Sequence, residues 1–348
     1  MDRWYNIPKE TKVNAYTQIG ETTGMAAHAV EKDWWVVQTL AIIFEMEIGK
    51  HLVFKGGTSL SKAWGLIERF SEDIDLAVDR SFFGFKEQLS KSQRTKLRKT
   101  TCQYIEDTFY PELQQRFKEK GLHEVVFKII EAPYRDQDPR IIEIYYPNVI
   151  ASGGYIQPRV QVEIGCRSLR EPFSLRSFAS LLDVQYSDAP FTQSPITIPT
   201  VNPERTLLEK IFLLHEEFQR PKEKIRVDRL SRHLYDIYQL SVAGFAQNIL
   251  NDAELYETIV SHRQIYTKVS GVNYNLHQPQ TQTINPIPPS DIIKKWESDY
   301  KIMQEEMIYG DSPHFDIMID VIKKYVAKLN SVSWTMKKKF PTRRENSK

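Results

Sequence analysis

A Gly-Gly turn followed downstream by an Asp-x-Asp constrains this chain more than any other feature. Lys55-Gly56-Gly57-Thr58-Ser59-Leu60-Ser61-Lys62 closes a short apolar run, and Asp73-Ile74-Asp75-Leu76-Ala77-Val78 comes after it. His51-Leu52-Val53-Phe54-Lys55 reads as a strand stopped by the glycines. Thr58-Ser59 can then cap a helix carrying Leu60, Ala63, Trp64 and Ile67. Strand, Gly-Gly turn and helix start together present free backbone N–H groups at the positive end of a helix, which suits a phosphate. Glycine lets such a group approach the backbone. Thr58 and Ser59 add hydroxyl donors, and Lys62 can reach outer phosphates.

The second element alternates polar and apolar residues, as a half-buried strand does. Asp73 and Asp75 then share a face, with Cα atoms about 6.5–7 Å apart. Their carboxylates can converge on Mg²⁺, a hard cation that prefers oxygen ligands and substrate phosphates. Glu163 is the candidate third carboxylate, because Val160, Val162 and Ile164 alternate inward while Gln161 and Glu163 face the other way. Each piece also has a plainer reading. The glycines can be a tight strand-to-helix connection, the Asp pair a solvated strand face, and Glu163 an exposed carboxylate paired with Arg159 or Arg167.

The rest of the chain arranges itself around this block. Val30, Trp34, Val37 and Ala41 form one apolar stripe, so the first fifty residues read as helical and Trp34 as core. Residues 86–120 are helical and charged, and residues 124–166 turn β-like. Residues 187–203 read as an irregular linker. Asn202-Pro203 then starts a mostly helical second half, interrupted by an exposed loop over residues 273–290. The expected architecture is α+β: a lobe over residues 1–195 with a small mixed sheet, a helical lobe over 196–335 and a basic tail over 336–348. That tail, with Lys337, Lys338, Lys339, Arg343 and Arg344, reads as disordered and solubilising, with recognition as the alternative. A basic run, Arg220, Lys222, Lys224, Arg226, Arg229 and Arg232, reads either as a seat for an RNA backbone or as a solvated loop.

Composition excludes several classes. Lys+Arg 47 against Asp+Glu 45 gives a net charge of +2 over 348 residues, so any polyanion site must be local. Two cysteines are too few for a disulfide framework and suit a reducing setting. Met1-Asp2-Arg3-Trp4-Tyr5-Asn6 lacks a signal-peptide pattern, and the apolar stretch over residues 34–44 falls short of the ~20 residues a membrane span needs. A cytoplasmic protein without membrane contact is the expectation. His-Glu-x-x-His, P-loop, Gly-x-Ser-x-Gly and Gly-x-Gly-x-x-Gly patterns are all absent.

Lys55-Gly56-Gly57-Thr58 with Arg69-Phe70-Ser71-Glu72-Asp73-Ile74-Asp75-Leu76 closely resembles the first motif of AbiEii/AbiGii-type nucleotidyltransferase toxins, a branch of the DNA polymerase β-like superfamily. Glu204-Arg205-Thr206-Leu207-Leu208-Glu209-Lys210 and Arg232-His233-Leu234-Tyr235-Asp236 resemble two later motifs of that family. The Arg-Asp that usually precedes the Tyr-Asp pair is Arg232-His233-Leu234 here. The resemblance implies a polymerase β-like catalytic lobe and transfer of a nucleoside monophosphate from a nucleoside triphosphate to an acceptor hydroxyl. Asp73, Asp75 and Glu163 would hold Mg²⁺ or Mn²⁺, and Lys55, Gly56, Gly57, Thr58, Ser59 and Lys62 would hold the nucleotide. Lys210 would contact the triphosphate, and Asp236 would orient Lys210 or the acceptor. By the same resemblance the acceptor would be RNA, at a tRNA end, and a separate antitoxin protein would be the partner. From the residues alone, Asp236 can equally pair with Arg232 one turn away, and Lys210 can be a solvated helix face. A non-catalytic nucleotide- or RNA-binding regulator with the same fold, and a phosphodiester hydrolase, are the competing readings.

Overall fold

The computed structural model describes residues 2–71, 73–86, 89–131, 140–151, 157–166 and 172–341. Glu72, Arg167, Arg343 and Arg344 lie outside these residues. The chain forms two compact units: residues 1–65 with 70–201, and residues 66–69 with 202–348.

The first unit carries α1 (Asp2–Tyr5), α2 (Lys9–Thr23), α3 (Ala27–Glu45), α4 (Gly56–Thr58), α5 (Lys91–Tyr104), α6 (Tyr110–Glu119) and α7 (Leu181–Gln185). Its strands are β1 (Leu52–Lys55), β2 (Asp73–Val78), β3 (Val126–Glu131), β4 (Arg140–Tyr145), β5 (Arg159–Gly165), β6 (Phe173–Phe178) and β7 (Ile196–Val201). They join into one mixed sheet in the order β3-β4-β5-β2-β1-β7-β6. β2 runs parallel to β5 and β1 parallel to β7, while the other pairs are antiparallel. Leu52, Phe54, Ile74, Leu76, Val160, Val162, Ile142 and Ile144 fill one side of the sheet and belong to the core. Alternation sends Lys55, Asp73, Asp75, Gln161 and Glu163 to the other side, where each is half-buried.

α3 is buried beyond its apolar stripe. Trp34 is core, as its position in the stripe predicts, and Glu31, Lys32 and Asp33 are buried beside it. Each of these charges ties down a different segment. Glu31 accepts from the backbone N–H groups of Val149 and Ile150, Lys32 donates to the Gln157 carbonyl, and Asp33 accepts from the Leu181 N–H. Buried charges need such partners, so the helix is held in place as well as packed.

Two expectations give way here. The predicted linker contains β7, because pairing with β1 and β6 overrides the turn-like signal of its Pro199 and Thr residues. The helix after the glycines is shorter than its apolar spacing suggests. It runs through a π-type turn at Ser59–Ala63 and stops, so that Ile67 belongs to a segment of the other unit.

The second unit is helical, as expected, with α8 (Pro203–Glu217), α9 (Ser231–Val242), α10 (Phe245–Ile249), α11 (Ala253–Tyr266), α12 (Ile293–Glu306) and α13 (Phe315–Leu329). Leu207, Ile211 and Leu214 of α8, Leu234, Ile237 and Leu240 of α9 and Met318, Ile322 and Leu329 of α13 are fully buried. Residues 66–69 join this unit by β-like pairing of Arg69 with Ile308 and by Tyr309 N–H donation to the Glu68 carbonyl. The loop over 273–290 is not simply exposed, since Tyr274, His277 and Ile284 are buried. Glu216 draws it in: the carboxylate meets Arg263 at 2.7 and 2.9 Å, His277 Nε2 at 3.2 Å and the Tyr274 hydroxyl at 3.4 Å.

Candidate functional site

The carboxylate site grows out of the sheet register. Asp75 lies opposite Lys55 of β1 and opposite Glu163 of β5, while Asp73 lies opposite Gln161. Directly paired residues share a face, with strands about 4.8 Å apart. Asp73, Asp75 and Glu163 therefore occupy one patch of the sheet, on the side away from the core. Gln161 is next to Glu143 of β4, which is drawn into a buried polar knot with Arg159 at 2.7 Å and the Tyr145 hydroxyl at 2.7 Å. Arg159, the alternative partner of Glu163, is thus engaged with Glu143. Sequence reading passed over Glu143, whose only signal was its alternation with Ile142 and Ile144.

Gly56 is fitted to Asp75. It has φ +80°, and a Cβ built on it would lie 1.9 Å from Asp75 Oδ2 and 2.8 Å from Cγ. A side chain at 56 would suffer both a left-handed backbone and that collision. The space in front of Gly56 is therefore held by the Asp75 carboxylate, whereas sequence reasoning reserved it for a phosphate.

The other nucleotide candidates are tied locally. The Thr58 hydroxyl donates to the Asp73 carbonyl and lies 3.0 Å from the Ser71 hydroxyl, and the Ser59 hydroxyl donates to the Gly56 carbonyl. These bonds lock the turn to the start of β2, so Thr58 and Ser59 shape the loop. Lys62 is 2.7 Å from Asp33 of α3 in a largely buried pair. Its ammonium keeps two further N–H donors.

Among the described residues no three His, Cys, Asp or Glu side chains form a ready-made metal cage. The donor set nonetheless suits Mg²⁺, which binds through one or two carboxylates together with substrate phosphates and water. Asp73 and Asp75, with Glu163 in register beside them, provide hard oxygen donors of that kind.

In the second unit Lys210 and Asp236 come together. Lys210 Nζ is 2.8 Å from Asp236 Oδ2. Arg69 grips the same carboxylate with both ends of its fork, Nε to Oδ1 and Nη2 to Oδ2, each at 2.7 Å. Asp236 is fully buried, Arg69 2% exposed and Lys210 8% exposed, so neither helical residue is the solvated face of the plainer reading. The partner of Asp236 is thus the distant Arg69, in place of Arg232 one turn away. Sequence reasoning quoted Arg69 as part of a motif without giving it this task. Nothing in helical spacing reveals a contact between residues so far apart in the chain.

The electrostatics follow from burial. Burial by itself raises the Asp236 pKa, but Arg69 and Lys210 outweigh it and hold the carboxyl well below its usual range. Burial lowers the Lys210 pKa against the opposing pull of Asp236. His233, where the family motif differs, has its Nδ1 buried without a hydrogen bond. Burial first, then neighbouring Lys210 and Arg232, push its pKa far down, so it stays neutral. Three of the six cations of the basic run are paired within the unit: Arg220 and Arg226 with Glu217, and the exposed Lys222 with Asp291.

A family model described as the nucleotidyl transferase AbiEii toxin of type IV toxin–antitoxin systems matches residues 39–328. Among solved structures, MenT4, a nucleotidyltransferase toxin from Mycobacterium tuberculosis H37Rv, is 16% identical, with 94% of this chain and 91% of that one covered at a TM-score of 0.50. JHP933 from Helicobacter pylori is 14% identical, covering 85% of this chain and 94% of that one at a TM-score of 0.30. The likeness to MenT4 is one of fold. No curated protein matches the sequence. Among the described residues no helix is long and apolar enough to cross a membrane.

Proposed function

Because the chain belongs to the AbiEii nucleotidyltransferase toxin family of type IV toxin–antitoxin systems, we propose that it transfers a nucleoside monophosphate from a nucleoside triphosphate to a hydroxyl of RNA, at a tRNA end, in the cytoplasm. Family membership favours turnover over a binding-only role. The observation that carries the reading is the patch of Asp73, Asp75 and Glu163, with the Asp75 carboxylate seated against Gly56, whose positive φ and close approach to that carboxylate disfavour a side chain.

Asp73 and Asp75, with Glu163, would hold Mg²⁺ or Mn²⁺. When bound, such ions lower the pKa of an attacking hydroxyl and offset charge on a leaving pyrophosphate. The backbone N–H groups at Gly57 and Thr58, with Lys55 and Lys62, would take the phosphates, while the Ser59 N–H closes the turn on the Gly56 carbonyl. The acceptor oxygen forms a bond to the α-phosphorus, the bond from that phosphorus to the β-phosphate bridging oxygen breaks, and the hydroxyl proton passes to solvent. Lys210 would offset phosphate charge. Asp236, itself clamped by Arg69, would keep the ammonium charged and pointed. An antitoxin partner follows from the family.

The test is to incubate the purified chain with Mg²⁺, each α-labelled nucleoside triphosphate in turn and total RNA, and to resolve the products by size. Labelled RNA of increased length is expected, and it should vanish in Asp73→Asn and Asp75→Asn. Undiminished transfer by both variants, or shortened RNA, would reject the mechanism.

A further inference from the structure

The segment after α13 is not a loose tail. Met336 and Phe340 are buried, and side-chain amides hold the main chain between and around them. The Asn275 amide bonds both the N–H and the carbonyl of Phe340, each at 2.8 Å. Gln278 does the same for Met336, at 2.9 and 3.1 Å. Gln280 donates to the Trp334 carbonyl, and the Trp334 indole donates to the Leu250 carbonyl at 2.8 Å. Both Glu257 oxygens accept from backbone, from Lys337 N–H at 2.9 Å and Lys338 N–H at 3.0 Å. The expectation of a disordered tail therefore fails for residues 336–341. Two-point amide bonds read main chain without regard to side chains, so polar residues that look like loop filler in the sequence act as clamps.

Between the anchors, Lys337, Lys338 and Lys339 are all exposed. None forms an ion pair among the described residues, and the charge of Glu257 is turned to their backbone. Lys338 Nζ lies 5.8 Å above the Phe340 ring, and a cavity of about 530 Å³ beside the segment is lined by Lys338, Lys339, Tyr274 and Thr281. The contrast with residues 220–232 is physical. There Arg220, Arg226 and the exposed Lys222 each meet a carboxylate, whereas here an anchored main chain carries three ammonium groups that form no ion pair among the described residues. Ordering a chain costs about 1–2 kcal/mol per residue, so a fixed row of unpaired lysines is favoured only where anchors hold it.

We propose that Lys337, Lys338 and Lys339 form a ledge that binds the sugar–phosphate backbone of the RNA acceptor. This rests on the RNA reading above and names the surface of the second unit that holds the acceptor. Ammonium groups act on phosphates as point charges, so the ledge contributes affinity without base selection.

The test measures binding of fluorescein-labelled total tRNA to the full-length chain by anisotropy, without nucleoside triphosphate, from about 50 to 200 mM salt. In the triple variant K337Q/K338Q/K339Q, affinity should fall about tenfold or more and the salt slope should shrink by about 2. Lys222→Gln, whose ammonium already faces Asp291, should change neither. Phe340→Ala keeps the lysines but frees the ledge, and should give an intermediate loss with the salt slope retained. If the wild type does not bind tRNA at all, the RNA reading itself fails. If it binds and the triple variant binds equally with the same slope, the ledge is wrong and the RNA reading stands. Loss of binding to phosphatidylserine vesicles, with tRNA binding intact, would also overturn the ledge.

Discussion

Replacing Gly56 by alanine separates folding from chemistry at the proposed site. The new methyl group would stand 1.9 Å from Asp75 Oδ2, so that oxygen must retreat by roughly 1.5 Å to reach ordinary contact near 3.4 Å. The obstacle is the tip of a side chain, which can rotate, and the main folding cost is then the left-handed backbone at φ +80°. A non-glycine residue there costs about 1–3 kcal/mol, partly offset by about 0.4–1 kcal/mol from a less flexible unfolded chain. The net loss is about 1–2 kcal/mol, a fall in melting temperature of about 2–8 °C for a unit of this size. Activity should suffer far more, because misplacing a reacting group by about 1 Å can cost about 100-fold. The assay pairs urea unfolding with initial rates of α-labelled nucleotide transfer to RNA, each on Gly56→Ala and wild type. A folded variant that keeps transfer within about threefold would refute the reasoning, because Asp75 would then not act from its observed place.

Other outcomes follow from the buried charges. Asp236→Ala leaves Arg69 and Lys210 buried without their anion and should cost about 3–5 kcal/mol in urea unfolding. Because the Asp236 pKa is depressed in the fold, its contribution is present above the usual carboxylate range and is lost as pH falls below about 4. His215, buried with its pKa pushed down from 6.5 to about 3, binds a proton more readily when unfolded, so stability falls as pH drops below 6.5. Between pH 6.5 and 5 this group should contribute a loss of about 2 kcal/mol, which His215→Gln should remove from a pH series of urea titrations. Lys210→Met keeps the Arg69–Asp236 fork and should unfold close to wild type while transferring nucleotide at least about 100-fold more slowly, and equal rates would exclude Lys210 from the chemistry.

Local pattern made much of this protein legible. Alternation in residues 73–78 and 159–164 showed which side chains face the core, and strand pairing then put Glu163 beside Asp75, which alternation alone does not specify. Apolar stripes located α8 and α9, and the motifs on them pointed to Lys210 and Asp236, which the structure joins at 2.8 Å. Those signals are local because a strand or helix repeats its geometry every few residues. What escaped were contacts between remote residues that no motif links. Arg69 as the clamp on Asp236, Lys62 bound to Asp33, β7 inside a Pro- and Thr-rich stretch and the amide clamps on residues 334–340 all belong to this class.

By itself, then, the sequence determined an α+β chain with a glycine turn, an aspartate pair and a helical second half, because hydrophobic periodicity and turn chemistry act over short spans. Only the tertiary structure decided which charges are satisfied within the fold. A lysine or glutamate has the same codon whether it is buried against a partner or left facing water, and the free energy that separates the two cases comes from desolvation and pairing across the chain. That sorting spent the cations at 220, 222 and 226 on carboxylates and left those at 337, 338 and 339 facing outward.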